Sequence, residues 1–373
     1  MDECQPLIVR PAAGRPWRER VLTMCFLLLR ALFRPFMAAP RLPAGACRIL
    51  ILKPCCLGDV LMATPVVAAL RERFPESTID FAVGRHARPA IESHPDIATI
   101  VDAGPGAGRH WRSELHLLKR MRAGRYDLCL VLERSPLFTI LPLLAGIRVR
   151  GGIDSAGRGF ALNVRVPWDE SLHEADLYLG VAGALGCWVA GRHLRFVPDE
   201  RARRAVDMLW QRRRLDPKVV AIAPGGGTNP GMDLPEKRWP PERFAQLADH
   251  LYGSEGAQIA IVGSPLDESA CRAMRAVMRA PSVDLTGTIP FADRAAFFQR
   301  CALYVGNDSG PMHLAVAVDC PAVAVFGPTS VSLYGPYHAR ARVVRRALPC
   351  SPCFVHGHFP PCPTGTPACA GYL

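Results

Sequence analysis

The sequence has very little lysine and a deficit of negative charge. Only four of its 45 basic residues are lysines, the other 41 are arginines, and with 33 acidic residues the formal net charge is +12. A general preference for arginine would produce this bias, and so would selection for phosphate-rich partners such as nucleic acid, anionic lipid or phosphorylated glycans. A position that keeps a lysine can require a compact ammonium group rather than a guanidinium fork. The four lysines are Lys53, Lys119, Lys218 and Lys237.

The chain also lacks long hydrophobic runs and metal-binding acidic pairs. An uninterrupted apolar stretch of about 18 residues does not occur, which argues against a conventional membrane span. There is no Asp-x-Asp pair, so the sequence does not indicate a divalent metal that would hold a diphosphate. The composition, 49% hydrophobic and 21% charged over 373 residues, argues against disorder and favours two packed domains.

Residues 1–47 form a basic extension with one apolar run. Seven arginines stand against three acidic residues, and the run VLTMCFLLLRALF covers 21–33. The run is too short to span a bilayer, and Arg30 and Arg34 interrupt the apolar core that a signal peptide needs. A helix that lies in the membrane interface fits best. A helix packed on the protein's own surface and a signal peptide remain alternatives.

From residue 48 onward, apolar runs alternate twice with helical patterns. One series occupies 48–200 and starts with the run RILILK, while the other occupies 201–346 and starts, after a basic helix, with VVAIA. Continuous apolar runs are typical of parallel strands that are buried on both faces. We therefore predict an α/β fold in which two doubly wound, Rossmann-like domains face each other across a cleft, with ligands beyond the carboxyl ends of the strands.

Three polar segments follow predicted strands, and each of them is a candidate for the cleft. In the first, KPCCLGDV, Gly58 permits a tight turn and Asp59 lies where a helix begins. Aspartate is a favoured helix N-cap, and a carboxylate at this position could equally act as a general base. The spacing alone does not decide between these two interpretations.

The second segment is a glycine loop after the strand over 219–223. Glycines let backbone N–H groups approach a phosphate, but this loop has neither the GK[ST] ending of a P-loop nor a GxGxxG pattern. One of the four lysines, Lys237, follows shortly after it. The candidate phosphate-binding residues of this loop are Gly225, Gly226, Gly227 and Thr228.

The third segment, GNDSGPMH, also follows a predicted strand and opens a helix. It has no GxSxG elbow, and its Asp, Ser and His are too close in sequence to form a hydrolase triad easily. A helix N-terminus that presents polar groups to a diphosphate is the better interpretation. The residues in question are Asp308, Ser309, Gly310 and His313.

Taken together, three segments resemble glycosyltransferase family 9, the ADP-heptose:lipopolysaccharide heptosyltransferases. They are LGDVLMATPVVAALRERFP, EKRWPPERFAQLADHL behind the glycine loop, and GNDSGPMHLAVAVDCPAVAVFGPT. The resemblance covers about residues 48–330 and implies a GT-B fold with inverting, metal-independent heptose transfer and no cofactor. By position it implies that Asp59 is the general base and that Lys237 neutralises donor phosphate. It also implies that the polar residues over 308–313 hold the diphosphate.

The resemblance also implies partners and a location. These are ADP-heptose, a phosphorylated lipopolysaccharide acceptor and the anionic surface of the inner membrane, so we expect a peripheral enzyme at its cytoplasmic face. A nucleic-acid partner is not expected, because the arginines are spread through both halves without an aromatic-interleaved basic face. One alternative is a family 9 enzyme that uses another nucleotide sugar or a protein acceptor. The other is a catalytically silent subunit that binds glycan.

Residues 347–373 form a tail rich in cysteine and proline. Four thiolates led by a CxxC could close a structural tetrahedral zinc or iron site, with no open position for chemistry. Free thiols or two disulfides are the alternatives, and disulfides suit a reducing compartment poorly. The four cysteines are Cys350, Cys353, Cys362 and Cys369, and the other ten are expected to act mostly as small hydrophobic residues.

Overall fold

The computed structural model describes residues 17–34, 41–43, 45–104, 111–188, 191, 193–229, 232–354, 359–363, 365 and 368–371. The described chain contains two parallel six-stranded sheets that follow one another in sequence. Helices cover the sheets, and one two-stranded hairpin accompanies the second sheet. This arrangement confirms the predicted α/β fold with two doubly wound units.

The first sheet has the strand order β3-β2-β1-β4-β5-β6. Its central strand β1 is buried on both faces, since Ile49 and Ile51 enter one hydrophobic core while Leu50 and Leu52 enter another. The strands are β1 (Arg48–Leu52), β2 (Thr78–Val83), β3 (Thr99–Asp102), β4 (Leu128–Val131), β5 (Val149–Asp154) and β6 (Val164–Pro167). The helices that precede or cover this sheet are α1 (Trp17–Phe33), α2 (Leu57–Met62), α3 (Thr64–Arg73), α4 (Trp111–Gly124), α5 (Pro136–Leu144) and α6 (Glu174–Gly183).

The second sheet repeats the same topology, with the order β11-β10-β7-β12-β13-β14. Its strands are β7 (Val219–Ala223), β10 (Gln258–Ile261), β11 (Ser282–Asp284), β12 (Leu303–Asn307), β13 (Ala322–Phe326) and β14 (Ala341–Arg345), and the hairpin pairs β8 (Thr228–Asn229) with β9 (Met232–Asp233). The helices are α7 (Glu200–Arg212), α8 (Pro241–Glu255), α9 (Glu268–Val277), α10 (Phe291–Arg300), α11 (Gly310–Ala317), α12 (Val331–Tyr334) and α13 (Ala368–Gly371).

In both sheets the strand order reverses direction beside the first strand of the unit. Ligands of doubly wound folds bind at this switch point, beyond the carboxyl ends of the two strands that flank it. In the first sheet these strands are β1 and β4, and in the second they are β7 and β12. The polar segments singled out in the sequence follow β1, β7 and β12, so the topology places all three at switch points.

Helix α1 packs on the first unit through one side. The Phe26 ring stacks on Phe160 with a centroid distance of 6.0 Å, the Phe33 ring lies 5.8 Å from the same partner, and Arg30 pairs with Asp154 at 3.7 Å. The opposite side of the helix stays exposed. Among the described residues, no helix has the length and hydropathy that a bilayer crossing requires.

One expectation about the cysteines needs correction. Cys55 and Cys56 form a disulfide across a cis peptide bond, because the turn after β1 brings neighbouring side chains together. They are therefore not free small hydrophobic residues. Seven other described cysteines outside the tail are free thiols, and six of them are buried in the cores as the sequence predicts.

Candidate active site

The switch points of the two sheets face each other across a cavity of about 760 Å³. Asp59 and Glu133 line it from the first unit, and Gly226 and Asp308 line it from the second. Helices α2 and α11 pack directly against each other beside it. Every residue predicted for the cleft lines this cavity except Gly225, which lines a separate, much smaller pocket.

Asp59 lies in the first turn of α2 and pairs with a buried lysine. The N-cap of this helix is Cys56 and not Asp59, so the carboxylate remains available to the cavity and is 31% exposed. Lys53 Nζ lies 3.0 Å from Asp59 Oδ2 and 3.2 Å from Glu133 Oε2. Burial alone would lower the pKa of Lys53, but Asp59 and Glu133 outweigh burial and hold that pKa well above its usual value. The ammonium is therefore a permanent cation that fixes both carboxylates.

The segment after β4 supplies the rest of the first wall. Arg134 pairs with the buried Glu174 at 3.1 Å and stacks over the Trp168 ring at 3.9 Å. Burial would raise the pKa of Glu133, but the charge of Lys53 holds that pKa below its usual value. Three charged side chains of this wall, Lys53, Glu133 and Arg134, thus keep their charge at neutral pH although they are largely removed from water.

Two side chains fix the shape of the glycine loop. Asp267 accepts a hydrogen bond from Gly226 N at 2.8 Å, and a Cβ at Gly225 would lie only 2.2 Å from the same carboxylate oxygen. Gly226 has a φ of +102°, which side chains other than hydrogen rarely allow. Asn307, fully buried at the end of β12, donates to the carbonyl oxygens of Pro224 and Gly225 at 3.0 and 2.9 Å.

The same Asn307 side chain accepts a hydrogen bond from Trp239 N at 2.9 Å. It therefore ties the glycine loop to the segment that carries Lys237. Arg238 adds a second link, since its Nε donates to Gly226 O at 2.7 Å and its Nη2 donates to Thr228 Oγ1 at 3.1 Å. The loop and the lysine consequently share one rigid support.

Lys237 enters the cavity from the second unit. Its Nζ lies 2.7 Å from Asp308 Oδ2, and Thr329 Oγ1 donates to that same oxygen at 2.7 Å. Asp308 is 3% exposed. A buried carboxylate with two donors is suited to hold an ammonium in place, and its negative charge makes it a poor direct contact for a diphosphate.

The first turn of α11 faces helix α2 of the other unit. A Cβ at Gly58 would lie 2.7 Å from His313 Cδ2, so the close approach of the two helices requires glycine there. Ser309 Oγ donates to Asn307 O at 3.1 Å, and Gly310 begins the helix. Burial lowers the pKa of His313 to about 4, although Asp308 opposes this shift. His313 is therefore neutral at physiological pH, and its buried Nδ1 has no hydrogen-bond partner among the described residues.

This arrangement places one carboxylate and one ammonium on opposite walls of the cavity. The carboxylate of Asp59 can accept a proton, while Lys237 and the backbone N–H groups at the start of α11 can stabilise a developing anion. The geometry suits a group transfer in which a hydroxyl attacks and an anionic group leaves.

The described residues of the cysteine tail do not form the predicted metal site. Burial, together with the thiols of Cys369, Cys350 and Cys362, raises the pKa of Cys353. In the described parts of the chain, however, no three His, Cys, Asp or Glu side chains converge in a geometry that could hold a metal. Cys353 N instead donates to Pro328 O at 2.9 Å, which returns the tail to the second sheet and brings Phe354 to the cavity.

Sequence reasoning missed the positioning residues of this site. Glu133 and Arg134 follow β4, and their position after a predicted buried strand was the signal that could have identified them. Asn307 lies within the segment GNDSGPMH, but nothing in the sequence alone indicated a role for it. Asp267 follows β10 in a stretch with no distinctive pattern. Lys53 was noted only because lysine is rare in this chain.

Comparisons with known proteins agree with this geometry. The sequence profile of glycosyltransferase family 9 (heptosyltransferase) matches residues 114–361. Lipopolysaccharide heptosyltransferase 2 of Salmonella typhimurium is 28% identical over 316 residues, which are 80% of this chain and 88% of that protein.

Two solved structures are similar over most of the chain. A family 9 glycosyltransferase from Veillonella parvula has a TM-score of 0.72 at 26% identity and covers 81% of this chain and 87% of its own. The ADP-heptose lps heptosyltransferase II of E. coli has a TM-score of 0.67 at 25% identity, covering 82% and 92%. The two facing units are therefore the GT-B fold, and the protein is a glycosyltransferase. Because the profile matches more than half of its length, the chain belongs to glycosyltransferase family 9.

Proposed function

We propose that the protein transfers a heptose from ADP-heptose to a phosphorylated lipopolysaccharide core acceptor, with inversion and without a metal ion. The observation that carries this proposal is the position of Asp59 and Lys237 on opposite walls of one cavity. Relatives named as lipopolysaccharide heptosyltransferases support the choice of sugar and acceptor.

The proposed reaction uses both walls in one displacement. The acceptor hydroxyl attacks the anomeric carbon, Asp59 takes its proton, and the bond from that carbon to the ADP oxygen breaks on the opposite face. Lys237, the glycine loop and the N–H groups at the start of α11 stabilise the negative charge of the departing diphosphate. Asp308 holds Lys237 in place and does not contact the diphosphate itself.

The direct test is a panel of nucleotide sugars with truncated lipopolysaccharide as acceptor. We expect ADP-heptose to be consumed in preference to UDP and GDP sugars, with ADP released, an inverted anomeric linkage by NMR, and full activity in EDTA. A different preferred donor, a protein acceptor, or binding of glycan without turnover would each replace this proposal with one of the alternatives.

Asp59→Asn is the variant that tests the proton acceptor. We expect turnover to fall by about 10²-fold or more, while ADP-heptose binding stays nearly unchanged, because the amide cannot take the hydroxyl proton. Glu72→Gln, an exposed carboxylate on α3, is the matched control and should behave as the wild type. Near wild-type turnover of the Asp59 variant would remove its assigned role.

We also propose that the enzyme acts peripherally at the cytoplasmic face of the inner membrane. The support is the exposed apolar side of α1 within a basic extension. Removal of residues 1–40 should release the protein from anionic vesicles and leave the fold of the two sheets and the activity on a soluble acceptor analogue intact. If the shortened protein sediments with vesicles as the full chain does, α1 is only a packing helix.

A further inference from the structure

We infer that helix α1, together with Arg158, forms a subsite for the lipid-proximal, anionic part of the acceptor. The inference rests on the proposed function and deepens it, because it identifies which residues distinguish a lipid-linked acceptor from a free sugar. Leu22 and Phe26 of α1 line the same cavity as Asp59. The helix is thus a wall of the site as well as a surface element.

The position of this wall is fixed by packing on the loop between β5 and β6. Phe26 stacks on Phe160, Arg30 pairs with Asp154, and a Cβ at Gly157 would lie 3.2 Å from Phe26 Cβ. Arg158 follows Gly157 in this loop and also lines the cavity. Apolar and cationic side chains therefore stand side by side at the first unit's end of the cleft.

Of the three arginines that line the cavity, Arg134 and Arg294 have polar partners for their guanidinium groups within the described part of the chain, and Arg158 has none. Arg134 pairs with Glu174, whereas no side chain or carbonyl group in the described part of the chain pairs with the guanidinium of Arg158. A half-buried guanidinium beside apolar side chains is suited to a phosphate or carboxylate that belongs to an otherwise apolar molecule. The donor diphosphate does not meet this description, because the groups proposed for it lie on the second unit.

The exposed side of α1 shows where the apolar part of the acceptor would continue. Five large apolar side chains, each 49% to 70% exposed, follow one another at helical spacing along this side. They are Trp17, Val21, Met24, Leu28 and Leu32. This ridge adjoins the cavity-lining face, so a molecule that enters along it reaches the cavity without leaving an apolar surface. The occupant we infer is therefore the amphiphilic acceptor itself, with its acyl chains along the ridge and its anionic group at Arg158.

The test compares two acceptors. One is truncated, heptose-accepting lipopolysaccharide with its acyl chains, and the other is the same molecule after chemical deacylation. For Leu22→Ser we expect the KM of the acylated acceptor to rise about tenfold, as expected for loss of one buried leucine contact, with no change for the deacylated acceptor. Arg158→Gln should raise the KM of both acceptors, and Arg158→Lys should restore part of it. The KM of ADP-heptose should stay constant in all variants.

Leu115→Ser on α4 is the matched control, since it also removes an exposed leucine but lies outside the cavity. Binding of the acylated acceptor is measured in addition without donor, so that a failure of the proposed transfer reaction does not hide the result. Equal acceptor affinity of Leu22→Ser and Leu115→Ser would overturn the inference. So would a concentration-dependent dimer that Leu28→Ser abolishes while acceptor affinity is unchanged, because α1 would then serve self-association.

Discussion

At the scale of single residues, the site depends on two lysines with different surroundings. Lys53 lies between Asp59 and Glu133 on the first wall, whereas Lys237 pairs with Asp308 on the second. In both places a compact ammonium contacts a carboxylate within the protein, where a guanidinium fork would need more room. The rarity of lysine in this chain is therefore informative at these two positions.

Lys53→Met should weaken both stability and turnover. The substitution leaves Glu133 and Asp59 without their shared cation, and breaking a buried ion pair costs about 3 kcal/mol in the free energy of unfolding. Chemical denaturation of the single variant and of Lys53→Met/Glu133→Gln measures this coupling. The double variant should recover part of the loss, and a single variant as stable as the wild type would contradict the assigned contact.

Lys237→Ala should lower kcat/KM for ADP-heptose by about 10²-fold, because one preorganised cation no longer balances the leaving diphosphate. Steady-state kinetics with varied donor concentration provides the measurement. Lys218→Ala is a matched control, since Lys218 is an exposed lysine paired with Glu255 on the surface. Unchanged donor affinity together with unchanged turnover would exclude Lys237 from the reaction.

At the scale of secondary structure, apolar runs predicted the central strands well. They predicted poorly the strands that contain glycine or lie at the edge of a sheet. β1 and β7 are apolar throughout apart from Arg48, and they match the predicted runs RILILK and VVAIA within a residue. β5 was not predicted from the sequence, because it contains Gly151 and Gly152. A Cβ at Gly152 would lie only 2.7 Å from Val131 O on the neighbouring strand. The glycine is needed for close strand packing, and it removes the hydrophobic signal.

The remaining misses have similar physical causes. β14 has a half-exposed, arginine-rich sequence at a sheet edge and therefore gives no continuous apolar run. At the site, motifs identified the residues that contact ligands in the proposal. The supporting side chains Asn307 and Asp267 could not be identified, because their partners are distant in sequence and only folding brings them together.

Gly58→Ala should disturb the contact between helices α2 and α11. The new methyl group would meet the buried His313 ring, so we expect a loss of about 1–3 kcal/mol in the free energy of unfolding and reduced turnover. Gly253→Ala on α8 is the control, since a Cβ there meets nothing within 4 Å. Equal thermal midpoints of the two variants would show that the helices separate easily.

At the scale of the whole molecule, a buried neutral histidine makes the fold sensitive to acid. Burial lowers the pKa of His313 to about 4 from 6.5, so the unfolded chain binds a proton at a pH where the folded chain does not. Stability from this residue is complete above pH 6.5 and is lost as the pH falls towards 4, by about 2 kcal/mol between pH 7.5 and 5. Urea denaturation of the wild type and His313→Asn at both pH values tests this. An equal loss in both proteins would show that other groups cause it.

The contact between α2 and α11 also limits how the two units can move. At Gly58 and His313 the helices are too close for even one methyl group, so separation there would expose a buried imidazole to water. Any opening that keeps this contact is a rotation with the helix pair as its pivot. Such a rotation widens the far mouth of the cleft and leaves the reacting groups near the pivot almost in place. In the proposed reaction, such a rotation lets spent nucleotide depart while Asp59 remains aligned for the next sugar.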